Sequence, residues 1–278
     1  MDTLSSPLHK RIGTHSKNLV YTSAGDNANT GCWLSAERNF DLWITYYGDR
    51  TDTPHRDLAD IYNIRKGSKY PNLHYAYCKW RELLDNYEAV MVMDDDIILD
   101  TAGINRLFEI RKQFGLWLLQ PAFSPAGRIC HSITCVRPFT KLRFTNFVEM
   151  NCPLFLKSKL DEFMEVYDPV VQMYGIDWWY LDRFGPDLSG KTAIIDAVLC
   201  VNPHTRTKQS RERECTKNES LCRDIEQWKK VKKSKKIMID EQDYRTFGSI
   251  KKIQLRDLWI LILHAFWMFK RAVRNAGG

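Results

Sequence analysis

The run Met91-Val92-Met93-Asp94-Asp95-Asp96 sets three carboxylates directly behind a wholly apolar segment. Adjacent carboxylates repel one another and lose hydration where a buried strand ends, so the arrangement is costly without a counter-charge. If strand geometry persists, side chains alternate between faces, and Asp94 and Asp96 point the same way. Two hard oxygen donors on one side suit a divalent cation such as Mn2+ or Mg2+, with diphosphate oxygens and water completing the shell. Three chemistries use such a pair. In glycosyl transfer, the held ion grips a nucleotide diphosphate and offsets charge growing on the leaving group. In a phosphatase-type strand end, Asp94 is the nucleophile and Asp96 the acid. That arrangement normally has a hydroxyl residue close behind, whereas Ile97 and Ile98 follow here. An EF-hand-like loop fails, because Ile98 and Asn105 stand where further oxygen ligands are needed. A solvated acidic turn is the plain alternative to all three.

The elements that must position the triplet alternate between strand and helix patterns. Apolar, β-rich runs cover 18–23, ending at Ala24-Gly25-Asp26, and 41–47, ending at Gly48-Asp49. Leu73, Tyr77, Trp80, Leu83 and Leu84 recur at helical spacing within 71–86. Residues 89–93 are apolar without interruption, the pattern of a strand buried on both faces in a parallel sheet. Helices are predicted over 104–114, 157–167 and 176–184, strands over 116–119 and 192–201, and a strand and turn over 144–156. Such alternation predicts an α/β fold. In open α/β sheets, ligands bind beyond the carboxyl ends of the strands, where the triplet falls.

The 278 residues are 44% hydrophobic and 12% aromatic, which excludes a disordered, collagen-like or coiled-coil chain. No apolar run reaches 18 residues, so a polytopic membrane protein is excluded, and the first residues lack the apolar core of a secretory signal. Eight cysteines are scattered without a CxxC pair. They predict reduced, mostly buried thiols in a cytoplasmic protein; a Cys215–Cys222 disulfide is the alternative, and zinc-type paired spacing is missing.

The net charge of +7 is uneven: residues 205–278 carry 19 basic against 9 acidic side chains, leaving the body slightly acidic. The tail holds six lysines within Trp228 to Lys236 and a 12-residue apolar run, 258–269, broken by His264 and flanked by Lys251, Lys252, Arg256, Lys270, Arg271 and Arg274. At about 1.5 Å per residue that run covers about 18 Å, short of the ~30 Å hydrocarbon core. A helix over 250–274 lying on the anionic inner face of the cytoplasmic membrane is therefore expected, with packing on the domain or in an oligomer as the alternative. No aromatic platform accompanies the lysines, so nucleic acid is not an expected partner. The predicted organisation is a tail at 1–14, a catalytic domain at 15–205 and a basic extension at 206–278.

A strand–helix region followed by an apolar strand ending in an Asp-x-Asp triplet resembles the GT-A glycosyltransferase fold, a mixed, mostly parallel sheet flanked by helices. The blocks Leu119-Gln120-Pro121-Ala122, the nine residues from Phe147 to Phe155, and Tyr174-Gly175-Ile176-Asp177-Trp178-Trp179 further resemble an uncharacterised family shared by plants and bacteria. Its plant members are labelled "lysine-ketoglutarate reductase trans-splicing related", and the resemblance spans roughly residues 15–205. It implies a metal-dependent transferase moving a sugar from a nucleotide diphosphate to a hydroxyl on a glycan or lipid-linked acceptor, as in polysaccharide assembly. Asp94 and Asp96 would hold the ion, joined by a late His204, and Asp95 would contact the ribose or donor sugar. Thr22, Ser23 and Gly25 would lie under the nucleotide. Arg65, Lys66 and Lys69 would neutralise the diphosphate, with Gly67 permitting close backbone approach. Asp177, opening a helix beside two tryptophans, would be the catalytic base of an inverting enzyme, its neighbours raising its pKa by desolvation. Glu149, which interrupts an apolar strand, is the second candidate base or an acceptor ligand. Two rivals remain: the phosphatase, and a non-catalytic protein that binds a membrane surface or nucleic acid. A sugar nucleotidyltransferase would show a Gly-rich signature near the N-terminus, which is missing.

Overall fold

The computed structural model describes residues 8–10, 16–34, 37–203, 208–252 and 256–276; of 208–220, 270, 271 and 273–276 it describes the backbone alone. In chain order the strands are β1 His9–Lys10, β2 Asn18–Ala24, β3 Asp41–Tyr46, β4 Ile61–Ile64, β5 Ala89–Val92, β6 Leu118–Phe123, β7 Thr140–Thr145, β8 Leu154–Leu156, β9 Thr192–Cys200 and β10 Thr246–Lys251. The α-helices are α1 Lys69–Lys79, α2 Arg81–Leu84, α3 Thr101–Phe114, α4 Lys157–Met164, α5 Ile176–Arg183, α6 Lys208–Lys235 and α7 Arg256–Ala276.

All ten strands form one mixed sheet in the order β1-β4-β3-β2-β5-β8-β6-β9-β7-β10. β4, β3, β2 and β5 run parallel, as do β6 and β9; β8 lies antiparallel between β5 and β6. The helix-flanked mixed α/β architecture expected from the sequence is thus present. The alternation of strand side chains explains the uninterrupted apolar runs. Leu19, Tyr21, Val90 and Val92 face one core with Tyr70 and Leu73 of α1, Leu160 and Phe163 of α4 and Trp179 of α5. Val20, Ile44, Met91 and Met93 face the other with Ile104, Leu107 and Phe108 of α3. A strand buried on both faces has no polar side, which is why 89–93 reads as continuous hydrophobics.

The helix expected over 71–86 is broken at Trp80, whose φ of −133° and ψ of 41° separate α1 from α2. Strands β4 and β10 were not expected; β10 is an edge strand whose residues are largely exposed, so it carries little apolar alternation. The change of composition after residue 205 is not a change in packing. β10 pairs with β7, and Trp228 of α6 and Ile260 of α7 are buried in the same core as α5. Asp224 of α6 accepts the N–H groups of Gln172, Met173 and Tyr174 ahead of α5. The described cysteines 32, 78, 130, 135, 152, 200 and 222 are free thiols, but only Cys135, Cys152 and Cys200 among them are buried, fewer than the sequence suggested. Cys78 is on the outward side of α1, where periodicity rather than local hydrophobicity decides exposure.

Candidate active site

The triplet follows β5 at the carboxyl ends of the parallel strands. Asp94 is anchored by its own N–H, which donates to Asn151 O at 2.8 Å. Its Oδ1 lies 2.6 Å from the Lys69 ammonium, whose side chain is only 7% exposed. Lys69 Nζ also donates to Met150 O at 2.6 Å and Asn151 O at 3.1 Å. Asp95 turns toward the first strand end: its Oδ2 accepts the Gly25 N–H at 2.7 Å and the Tyr47 hydroxyl at 3.4 Å. Burial holds the Asp95 carboxyl above its ordinary value, while the Gly25 N–H opposes the shift. Asp96 is the most exposed of the three. Desolvation by the surrounding protein, and then the charges on Asp94 and Asp95, push it up to about 6.

The other side chains expected at this end are engaged within the fold. Thr22 and Ser23 are buried; Thr22 donates to the Ser23 carbonyl, and Ser23 accepts from Asn72 Nδ2 at 3.1 Å. Their hydroxyls are therefore engaged inside the fold, and only Gly25 of the trio bonds to the triplet. The three cations do not gather into an open anion site. Arg65 binds the Asn72 side chain and lies over the Tyr75 ring, 4.6 Å from its centroid. Lys66 is tied to the turn after β3, at 2.7 Å from Tyr47 O and 2.6 Å from Asp49 Oδ1. Lys69 reaches the triplet but serves as the internal counter-ion of Asp94. The position of a charge along the chain does not reveal which acceptor takes it; here α1 begins beneath the loop that carries Met150 and Asn151. His204 lies outside the described residues.

That same loop carries the second half of the site. Glu149 is buried, with Oε1 accepting Asn151 Nδ2 at 2.7 Å and Oε2 accepting the Thr134 hydroxyl at 3.4 Å. Burial first, then the charges on Asp177 and Asp94, push its carboxyl up to about 8. Asp177 sits in the first turn of α5, behind Gly175 at φ +96°, and is also buried. Its Oδ1 accepts the Trp178 N–H at 3.1 Å, and burial pushes the carboxyl up to about 7. Glu149 therefore feels the charges of both Asp94 and Asp177, carboxylates that lie 55 and 28 residues from it in the chain. Two neighbouring acids held near neutrality can divide proton acceptance from proton donation.

Among the described residues no ready-made cluster of three metal-ligating side chains exists. Three carboxylates at one strand end, with Lys69 offsetting only part of their charge, nonetheless leave hard oxygen donors in excess. Such a set fits an ion that brings ligands of its own, as a metal diphosphate does. Sequence reasoning missed Asn151, Gln120 and Thr134 as partners of Glu149, although the first two stand inside the resembling blocks; Gln120 Oε1 accepts the Glu149 N–H. A cavity of about 170 Å³ lined by Ser16, Lys17, Ile61 and Tyr87 lies at the amino end of β2, away from this chemistry.

No protein-family model matches the chain, and no curated protein matches it. Solved structures resemble it in layout. S. aureus TarS 1–349 is 10% identical with a TM-score of 0.48, the match covering 67% of this chain and 60% of that one. TarS 1–349 with UDP-GlcNAc gives 9% identity and a TM-score of 0.45, over 69% and 60% of the two chains. The mannosyltransferase PcManGT from Pyrobaculum calidifontis, solved with GDP-Man and Mn2+, is 13% identical with a TM-score of 0.49, over 97% and 78%. The chain thus spans less than two thirds of the TarS chain, and likeness at this level assigns no residue a role.

Proposed function

We propose that the chain is a nucleotide-sugar-dependent glycosyltransferase of the GT-A type, in the plant and bacterial family that its three sequence blocks resemble. The observation that carries this reading is that Asn151 ties the strand end to a buried acid: its carbonyl accepts the Asp94 N–H at 2.8 Å and its side-chain amide donates to Glu149 at 2.7 Å, and Glu149 feels the charges of Asp94 and the equally buried Asp177. Asp94 and Asp96 would hold Mn2+ or Mg2+; when bound, the ion supplies positive charge for a departing diphosphate. Lys69 holds Asp94 in place against the Asn151 loop. Asp177, poised near 7, takes the proton of the acceptor hydroxyl as that oxygen bonds to the anomeric carbon and the bond from that carbon to the diphosphate oxygen breaks. Glu149, its carboxyl pushed up to about 8 and held by Asn151 and Thr134, is the second acid of the site.

The acceptor belongs to cell-surface glycan assembly in this reading, and α7 is the membrane contact. Its support is an inverted distribution of side chains. Arg256, Asp257 and Ile260 turn toward the body, with Arg256 donating to Asp196 O at 2.7 Å. Leu258 (66% exposed), Trp259, Ile262, Met268 and Phe269 turn outward, beside exposed Lys251 and Lys252. Among the described residues no helix is long and apolar enough to cross a membrane, so contact would be along the surface of an anionic leaflet.

The test is nucleotide release from UDP- and GDP-sugars with Mn2+ present. One donor should be turned over selectively, and Asp94→Ala and Asp96→Ala should abolish that turnover. Release of phosphate from a generic phosphate ester without any nucleotide would overturn the reading in favour of a phosphatase.

A further inference from the structure

The acid pair is flanked by aromatic rings that come from distant parts of the chain. His131 follows β6, Phe147 precedes Glu149, Trp178 follows Asp177, and Tyr244 lies between α6 and β10. Centroid separations are 4.7 Å for His131–Phe147, 4.9 Å for Phe147–Tyr244, 5.6 Å for His131–Tyr244 and 5.9 Å for His131–Trp178. Phe147 and Trp178 are buried, but Tyr244 is 39% exposed and His131 is half-buried. His131 Nδ1 and the Tyr244 hydroxyl are 2.9 Å apart.

The segment carrying Tyr244 is firmly held. Met238 and Ile239 donate their N–H groups to Asp182 Oδ1 of α5 at 2.9 and 3.0 Å. The Arg245 N–H donates to Asn146 Oδ1 at 2.6 Å, and Asn146 Nδ2 donates to Asp243 O at 2.8 Å. Trp228 donates to Glu241 Oε1 at 2.9 Å. The tail thus presents a fixed ring beside the catalytic acids rather than a loose strap. Burial, with the charges on Asp177, Tyr174, Glu149 and Glu241 adding to it, pushes the Tyr244 hydroxyl up to about 12.

Ligand sites combine apolar and aromatic walls with few polar groups, and Tyr and His rings are amphipathic. A pyranose matches such a wall, because it carries C–H groups on its faces and hydroxyls around its rim. A phosphorylated ligand does not match. Arg245 is already paired with Asp243 at 2.6 Å and Lys232 with Glu241 at 2.7 Å, so both cations nearest the rings are engaged. We infer that Tyr244 and His131, backed by Phe147 and Trp178, form the acceptor subsite and receive an uncharged sugar ring, whose hydroxyl is directed toward Asp177. The inference rests on the glycosyltransferase reading and narrows its acceptor to a glycan end with a neutral ring.

Binding is read from tryptophan fluorescence with methyl glycosides of glucose, galactose, mannose and N-acetylglucosamine, with glucose 6-phosphate as the charged comparison. At least one glycoside should saturate, and should accelerate nucleotide release from the donor. Tyr244→Ala should weaken that glycoside roughly tenfold, the loss expected for one aromatic contact. Tyr244→Phe, which keeps the ring, should bind close to wild type. Donor binding, followed by thermal shift with Mn2+ and UDP or GDP, should be unchanged in both variants. The subsite is refuted if Tyr244→Ala binds glycosides as wild type does, if glucose 6-phosphate binds more tightly than every neutral glycoside, or if none binds while donor hydrolysis persists. Failure of both donor turnover and glycoside binding would instead overturn the glycosyltransferase reading, and the subsite with it.

Discussion

Replacing the buried carboxylate of Asp177 with an amide should stabilise the protein at neutral and alkaline pH while disabling it. Asp177 is 4% exposed, and its carboxyl is pushed from an ordinary 3.8 up to about 7, chiefly by burial. At 1.36 kcal/mol per pH unit, ionised Asp177 costs the folded state about 4 kcal/mol relative to the unfolded chain. The unfolded chain releases its proton near 3.8 and the folded chain near 7, so stability falls as pH rises between those values and then levels off. Asp177→Asn removes that decline, and its Oδ1 can still accept the Trp178 N–H. The new buried amide N–H group costs about 1–3 kcal/mol where it finds no partner. The net gain at pH 8 is therefore about 1–3 kcal/mol, shrinking to zero or turning negative near pH 4. The assay is urea unfolding at each pH from 4 to 9 with EDTA present. Glu149, whose carboxyl is raised partly by the Asp177 charge, should fall toward its ordinary range in the variant, flattening the profile further. Turnover should drop by about 10²–10⁴, the usual contribution of a general base. A variant less stable than wild type at pH 8, or one with an unchanged pH slope, would refute the account of Asp177 as a desolvated carboxylate.

Three other perturbations test the frame around the site. Arg143→Met should lower stability by about 3–5 kcal/mol in urea unfolding, because it strands Asp196 without its buried partner. Arg143 bonds Asp196 at 2.8 and 3.0 Å and also holds the carbonyls of Ile133 and Cys135 on the loop over Glu149. Gly175→Ala should cost more than Gly115→Ala when melting temperatures are compared. Both glycines have positive φ, a backbone penalty of about 1–3 kcal/mol, but a Cβ at 175 would fall 2.1 Å from the Trp228 ring and one at 115 meets nothing within 4 Å. Leu258→Ser, Ile262→Ser and Phe269→Ser combined should leave the melting temperature near wild type and abolish flotation with phosphatidylserine vesicles. A large loss of stability in that variant would mean the face is packed, and retained flotation would remove α7 as the membrane contact.

The sequence by itself determined the strand that delivers the triplet. Residues 89–93 are apolar at every position because Val90 and Val92 face one core and Met91 and Met93 the other, and hydrophobicity ends where the strand reaches the rim. It also marked Asp177 and Glu149 as acids among apolar and aromatic neighbours, the local condition for a raised carboxyl pKa. It was silent on β4 and β10, whose short length or edge position leaves no strong apolar alternation. Only the tertiary structure decided the partners. Lys69 reads as one of three loop cations, yet the sheet order sets β8 beside β5 and brings the Asn151 loop over α1, so its ammonium is enclosed by Asp94 and two carbonyls. The basic tail reads as an appendage, yet Asp224 and Trp228 hold the approach to α5 and Tyr244 packs on Phe147. Periodicity and burial are imprinted on neighbouring residues by the geometry of a single strand or helix. Which charge meets which across 80 or more residues depends on strand order and crossover path, and neither leaves a local trace.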